Sequence, residues 1–233
     1  MMIELAGLVI KLEAPGEYTI NMCQDYLYTG EKEPDITIEY DQVAIDKEKE
    51  LYPDAPEDYL QNICIYRQIC KRIVKFGAML IHSAAISVDG KGYLFTAHSG
   101  TGKTTHVNLW LNKFKDRALI INGDKPIVRE TDGQFHVYGT PWCGKEGINT
   151  NTHVPIEGIC ILERGKENII KKVSHSEAIS ELMGQTSRPP STDGMVALLD
   201  VFDRLITSVP VYRLFCNMEP QAADVSYNGM CKK

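Results

Sequence analysis

The chain lacks several things that would have named a function class quickly. It has no C-x-x-C pair, and its seven cysteines are odd in number and irregularly spaced. That argues against a disulfide framework or a zinc knuckle and favours reduced thiols in a cytoplasmic protein. Positive charge is not in excess: the formal net charge is -6. An acidic chain does not suit a nucleic-acid or anionic-membrane partner, since both need a basic field. The N-terminus, MMIELAGLVIKLEA, places Glu4 before any basic residue and has no long apolar run, so it reads as a first strand and neither a signal peptide nor a membrane anchor. There is no internal repeat, low-complexity tract or Pro/Gly/Ser-rich linker.

What is present fits an ordinary globular protein. Of 233 residues, 43% are hydrophobic and 24% charged, enough for a sizeable core. Asp25 to Pro56 is the most acidic stretch. Within it, DITIEYDQVAI alternates Ile36, Ile38 and Tyr40, which predicts a strand with one wet face. PEDYLQNICIYRQICKRIVKFG spaces its apolar residues as a helix does and stops at Gly77. AMLIHSAAISV and YLFTA read as two strands joined by the turn Asp89 to Gly92. A helix runs through Val107, Leu109 and Leu111, and ALIIN is a short strand. IVRETDGQFHVYGTP reads as a hairpin turning at Asp132-Gly133. IEGICILER and NIIKKV are strands around Gly165, SEAISELM and STDGMVALLDVFDRLITSV are helical, and VYRLFC is a last strand before a short tail. Hairpins mixed with helices predict an α/β protein with a mixed sheet. The chain reads as one domain over residues 1–233, with a β-rich part over 1–50 and a core over 55–233.

The chemistry concentrates in AHSGTGKTTH, Ala97 to His106. A strand leads into it and a helix leaves it. Glycines turn backbone N–H groups toward one point without a Cβ in the way, and the helix aims its positive end at the same spot. Lys103 adds a formal charge for the outer phosphates, and the Thr104 hydroxyl is placed to ligate Mg²⁺. The expected nucleotide-binding set is Ser99, Gly100, Thr101, Gly102, Lys103, Thr104 and Thr105. The pattern departs from the usual phosphate loop at its first position, which is Ala97.

The wording SGTGKTT resembles the kinase loop of ATP-dependent phosphoenolpyruvate carboxykinase. The longer span IHSAAISVDGKGYLFTAHSGTGKTTHVNLW resembles more closely the catalytic domain of HPr kinase/phosphorylase, from about Ala78 to Val128. A group of HPr-kinase-like proteins, several of which accompany peptide-modifying enzymes, is a nearer match than either. The resemblance implies a loop on a mixed sheet, ATP and Mg²⁺ as cofactors, a histidine at His82, and an acidic pair after the next strand. Here that place reads Asn122-Gly123-Asp124-Lys125. Either Gly123 replaces the first acid or Lys125 the second, and Asp124 survives in both alignments as the metal-linked carboxylate.

These residues imply phosphoryl transfer, in which positioning and charge neutralisation dominate. Lys103 would offset charge on the transferring group. Asp124 would accept the hydroxyl proton or hold the metal, and His82 would shuttle that proton. The expected acceptor is a hydroxyl, a serine on a peptide or small protein. The alternatives are a nucleotide-binding accessory protein whose catalysis is lost, or a carboxykinase-like small-molecule enzyme. Two further stretches carry candidates. YGTPWCGKEGINTNTH offers Lys145 to meet an acceptor or the γ-phosphate, with Glu146 orienting it; Trp142 would anchor the loop, and Cys143 is a weaker nucleophile. TSRPPSTDG offers Arg188 as a charge-stabilising arginine. HPr-kinase relatives form hexamers, so a homo-oligomer is also implied.

Overall fold

The structure, a computed structural model, describes residues 1–98 and 100–231. The expectation placed on Ser99 therefore lies outside the described residues.

The N-terminal part holds β1 (Met2–Leu5), β2 (Leu8–Leu12), α1 (Glu17–Met22), β3 (Ile36–Ile38) and α2 (Gln42–Leu51). The predicted single first strand is an antiparallel hairpin broken at Ala6-Gly7, and β3 joins β2 in parallel to make a three-stranded sheet. The expected strand DITIEYDQVAI stops after Ile38. Asp41 accepts a hydrogen bond from the Ala44 N–H and starts a helix. The alternation of Ile36, Ile38 and Tyr40 was too short a signal to outweigh that N-cap, so the part described as β-rich carries two helices.

Next come α3 (Glu57–Arg72), β4 (Ala78–Leu80), β5 (Ala84–Val88), β6 (Lys91–Thr96), α4 (Lys103–Phe114) and β7 (Ala118–Asn122). AMLIHSAAISV, read as one strand, is two. β4 pairs the strand Ile127–Thr131, β5 pairs β6 and β7, and the break at Ile81–Ser83 lets the chain leave one strand neighbour for another. β8 (Ile127–Thr131) and β9 (Gln134–Tyr138) form the expected hairpin. β10 (His153–Arg164), β11 (Ile169–Lys172), α5 (His175–Leu182), α6 (Thr192–Ser208), β12 (Val211–Cys216) and α7 (Gln221–Met230) follow. The stretch expected to be a short tail is thus a helix. The turns at Asp89-Gly90 and Asp132-Gly133 have positive φ at both residues, the geometry that suits the strand twist of two-residue hairpins.

The larger sheet runs β4-β8-β9-β10-β6-β5-β7, with β12 beside β10 and β11 beyond it. It is mixed, as expected. β10 is long enough to serve two partners along one edge: its start pairs antiparallel with β9 and its end parallel with β12, while its other edge runs parallel to β6. α5 and α6 cover one face through Leu182, Leu198, Phe202 and Leu205, and α4 and α7 cover the other through Trp110, Phe114, Ala223 and Met230. The small sheet packs on α3 in a separate cluster of apolar side chains. Among the described residues no helix is long and apolar enough to cross a membrane.

Direction in the sheet decides where the chemistry can meet. β6 and β10 are parallel, and β5 is antiparallel to both β6 and β7. The C-terminal ends of β6, β7 and β10 and the N-terminal end of β5 therefore lie at one edge. Residues just past Thr96, just past Asn122 and just before Ala84 converge there, where open α/β sheets hold ligands.

Candidate functional site

Backbone geometry opens the loop after β6. Gly100 and Gly102 have φ of 76° and 121°, in the range that disfavours side chains. A Cβ on Gly100 would meet nothing within 4 Å. Gly102 caps α4 with no side-chain hydrogen bond, so among the described residues no side chain caps the positive end of that helix where it faces the loop. Lys103, Thr104 and Thr105 are the first three residues of α4, with Thr104 and Thr105 exposed and Lys103 half-buried. Burial pulls the Lys103 ammonium below its ordinary value, and the charge of Asp124 offsets part of that. A cation already costly to hold in a part-buried place is the one that an incoming anion relieves.

α4 is held firmly from below. Trp110 Nε1 donates to Ser226 Oγ of α7 at 2.8 Å, and His106 Nε2 lies 3.0 Å from the same oxygen. Ser226 Oγ gives its own hydrogen to the Ala222 carbonyl at 2.9 Å, so both rings donate to it. His106 is therefore the Nε2–H tautomer, its buried Nδ1 has no partner among the described residues, and burial pulls the pKa of the ring down to about 4. His106, Trp110 and Ser226 were not picked out from the sequence. The signal was present in the apolar spacing of α7, which an expected tail concealed.

Three elements bring a second group of side chains to the same edge. His82 Nε2 lies 2.8 Å from Asp124 Oδ1 and 3.4 Å from Lys103 Nζ. Burial would raise the Asp124 carboxyl, but the hydrogen bond from His82 and the charges of His82, Lys125 and Lys103 outweigh it, so the group sits below its ordinary value and is ionised. A carboxylate only accepts, so Nε2 carries a hydrogen and gives it to Asp124 at the shorter distance. Among the described residues Lys103 then keeps one weak partner, the Ala97 carbonyl at 3.3 Å. The structure thus brings His82, Lys103 and Asp124 together.

Asn122 fixes Asp124. It is fully buried, and its Oδ1 accepts from the N–H groups of Asp124 and Lys125 at 2.9 and 2.6 Å while its Nδ2 donates to the Thr140 carbonyl at 2.9 Å. The backbone carbonyl of Asp124 accepts from the Ser83 N–H at 3.0 Å, tying the turn to the His82 segment. The two possible alignments of the acidic pair now differ physically. A Cβ on Gly123 would stand 2.9 Å from the Cys143 carbonyl oxygen and 3.4 Å from that of Ile148, so no acid fits there unless the backbone moves. Lys125 has room: its ammonium lies 3.6 Å from Asp124 Oδ2 and 5.4 Å from the Tyr66 ring centre.

The other candidates lie further out. Lys145 and Glu146 are exposed, in a loop whose Gly144 packs against Asp124: a Cβ there would stand 2.9 Å from the aspartate Cβ. Trp142 does anchor that loop, donating to Asn62 Oδ1 at 3.1 Å. Cys143 is buried and accepts from Asn149 Nδ2 at 3.1 Å. Arg188 is exposed and donates to the Met183 carbonyl at 3.3 Å within its own turn. The arginine that meets the loop is Arg164, at the end of β10, whose Nη2 donates to the Gly100 carbonyl at 2.6 Å. Beside the loop, between the ends of β6 and β10, is a cavity of about 360 Å³ walled by Thr96, Thr101, Arg164, Glu181 and Gln185 among others.

Comparison with known proteins adds a family. The sequence pattern of the family described as SynChlorMet cassette protein ScmC matches residues 53–221. No curated protein matches the chain. Among solved structures, the Hpr(Ser) kinase/phosphatase from Coxiella burnetii is 9% identical over 64% of this chain and 95% of that one, with a TM-score of 0.39. A likeness at that level carries no argument about activity.

Proposed function

We propose, from the premise that the chain belongs to the SynChlorMet cassette protein ScmC family, that it is an ATP- and Mg²⁺-dependent phosphotransferase acting on a hydroxyl of a peptide or small protein. The observation that carries this reading is the placing of Lys103, on the open first turn of α4, 3.4 Å from a histidine that is bonded to an ionised aspartate. A phosphate anchor and an acid–base pair share one edge of the sheet.

The residues fit a triphosphate. Gly100 and Gly102 carry no side chain into the loop, and the first N–H groups of α4 and the Lys103 ammonium supply donors and charge. Thr104, exposed on the first turn, and Asp124 would hold Mg²⁺. Asp124 Oδ1 is bonded to His82 and the Lys125 ammonium lies 3.6 Å from Oδ2, so a cation held at Oδ2 would displace that ammonium. When bound, Mg²⁺ neutralises charge on the phosphate oxygens. The chain's own work is to hold the phosphates through Lys103 and to orient the acceptor hydroxyl, whose proton would pass to the His82–Asp124 pair. Seven unpaired cysteines suit the cytoplasm, where ATP is plentiful.

One observation favours a second reading, a nucleotide-binding accessory protein. The second acid is absent, and the ammonium of Lys125 stands beside Asp124 in its stead. The test is phosphate transfer from labelled ATP to candidate peptides by wild type, Lys103→Ala and Lys125→Asp. Transfer by wild type that Lys103→Ala abolishes supports the kinase. Transfer seen only with Lys125→Asp supports the accessory reading.

A further inference from the structure

His82 has a second ring nitrogen, and nothing so far assigns its partner a role. Nδ1 lies 3.1 Å from Oε1 of Gln185, in the short helical turn Met183–Gln185 after α5. The same residue accepts from the His82 backbone N–H through its carbonyl at 2.7 Å, and Thr186 Oγ1 donates to the Leu80 carbonyl at 2.6 Å. Residues 185–186 are thus strapped along the 80–82 segment by bonds that do not need the Gln185 amide. Thr96 Oγ1 also secures the His82 carbonyl, at 2.9 Å. The backbone of His82 is fixed without Gln185's side chain, and the side chain acts on the ring alone.

We propose that Gln185 is a positioning residue, its amide holding the His82 ring in the one orientation in which Nε2 meets Asp124. This deepens the phosphotransfer reading above and rests on it. Turning the imidazole over would exchange Nε2 for Cε1 and Nδ1 for Cδ2, so Asp124 and Gln185 would both face carbon. Only the observed orientation satisfies both nitrogens. An amide can accept through its oxygen or, turned over, donate through its nitrogen, so Gln185 partners Nδ1 with or without a hydrogen there. Gln185 also walls the cavity beside the loop, so an acceptor group entering there touches the residue that aims His82.

The test uses Gln185→Leu, which removes the amide and keeps the backbone bond, and Gln185→Glu, which keeps an acceptor at the same reach. Histidine-labelled protein without nucleotide is examined by long-range proton–nitrogen spectra at one fixed pH. Wild type is expected to show a single His82 pattern with a hydrogen fixed on Nε2. Gln185→Leu is expected to lose that fixed pattern, and Gln185→Glu, whose carboxylate only accepts, to keep one with hydrogens on both ring nitrogens. In kinetics Gln185→Leu should lower kcat by about ten- to a hundred-fold, the usual effect of removing a group that orients a reacting side chain, with KM for ATP within about twofold and partial recovery in Gln185→Glu. An unchanged His82 spectrum in a folded Gln185→Leu protein overturns the proposal, as does a changed spectrum with kcat intact. If wild type transfers no phosphate at all, the kinase reading fails by itself. The spectra then still decide whether Gln185 holds the ring.

Discussion

His106 makes stability depend on pH in a window that can be calculated. The residue is 2% exposed, donates from Nε2 to Ser226 and leaves Nδ1 buried with no partner among the described residues. In the folded protein its pKa is pulled from 6.5 down to about 4, because burial penalises the imidazolium. Unfolding releases the ring to water, where it takes up a proton below 6.5. Between those two values the unfolded state holds one more proton than the native state, so stability rises with pH there. The contribution is whole above the ordinary value, falls as pH drops through 6.5, and is spent by about 4. At ~1.4 kcal/mol per pH unit this amounts to roughly 3 kcal/mol, a large part of the total for a domain of this size. The perturbation is His106→Gln, which keeps a donor for Ser226 and removes the titration. Urea unfolding is followed at several pH values between 4.5 and 7.5, set from this window, for both proteins. Wild type should lose about 2–3 kcal/mol more than the variant across that range. Curves that stay parallel within about 0.5 kcal/mol would show that His106 is not a buried neutral ring, and the packing of α4 on α7 would need another account.

Other consequences follow from the same geometry. Asp124 is held below its ordinary 3.8, so its contribution is present above that value and lost as pH falls through the lower folded one; Asp124→Asn should narrow the stability gap to wild type below about pH 4 and abolish phosphate transfer. Gly139→Ala would put a Cβ 2.0 Å from the Thr150 carbonyl oxygen, and should cost at least ~2 kcal/mol in thermal or urea unfolding. Arg164→Ala should weaken nucleotide binding by a few-fold, whereas Arg188→Ala should leave it unchanged, as read by calorimetry.

Part of the candidate site was legible because it is local. Ala97 to Thr105 states its own loop, and the hairpin turns at Asp89-Gly90 and Asp132-Gly133 announce themselves through residues that tolerate positive φ. His82 and Asp124 could be marked on the sequence, but their meeting depends on strand direction, set by β5 running against β6 and β7. What stayed hidden is long-range polar pairing. Gln185 is 103 residues from His82 and Ser226 is 120 from His106, and a glutamine or a serine in a helical stretch has no periodic mark. Arg188 and Arg164 show the same limit. Both are solvent-exposed arginines, and only the end of a parallel strand decides which one reaches the loop. α2 was missed because a short alternation spoke for a strand while the competing signal was a single capping aspartate.

The most direct measurement of the central claim, that the loop around Lys103 holds the phosphates of a nucleotide, is calorimetry of wild type and Lys103→Ala with ATP and Mg²⁺. The account predicts saturable one-site binding by wild type, weakened about ten- to a hundred-fold in Lys103→Ala with the melting temperature unchanged. Absence of binding heat from folded wild-type protein, or equal affinity in the two, would contradict it.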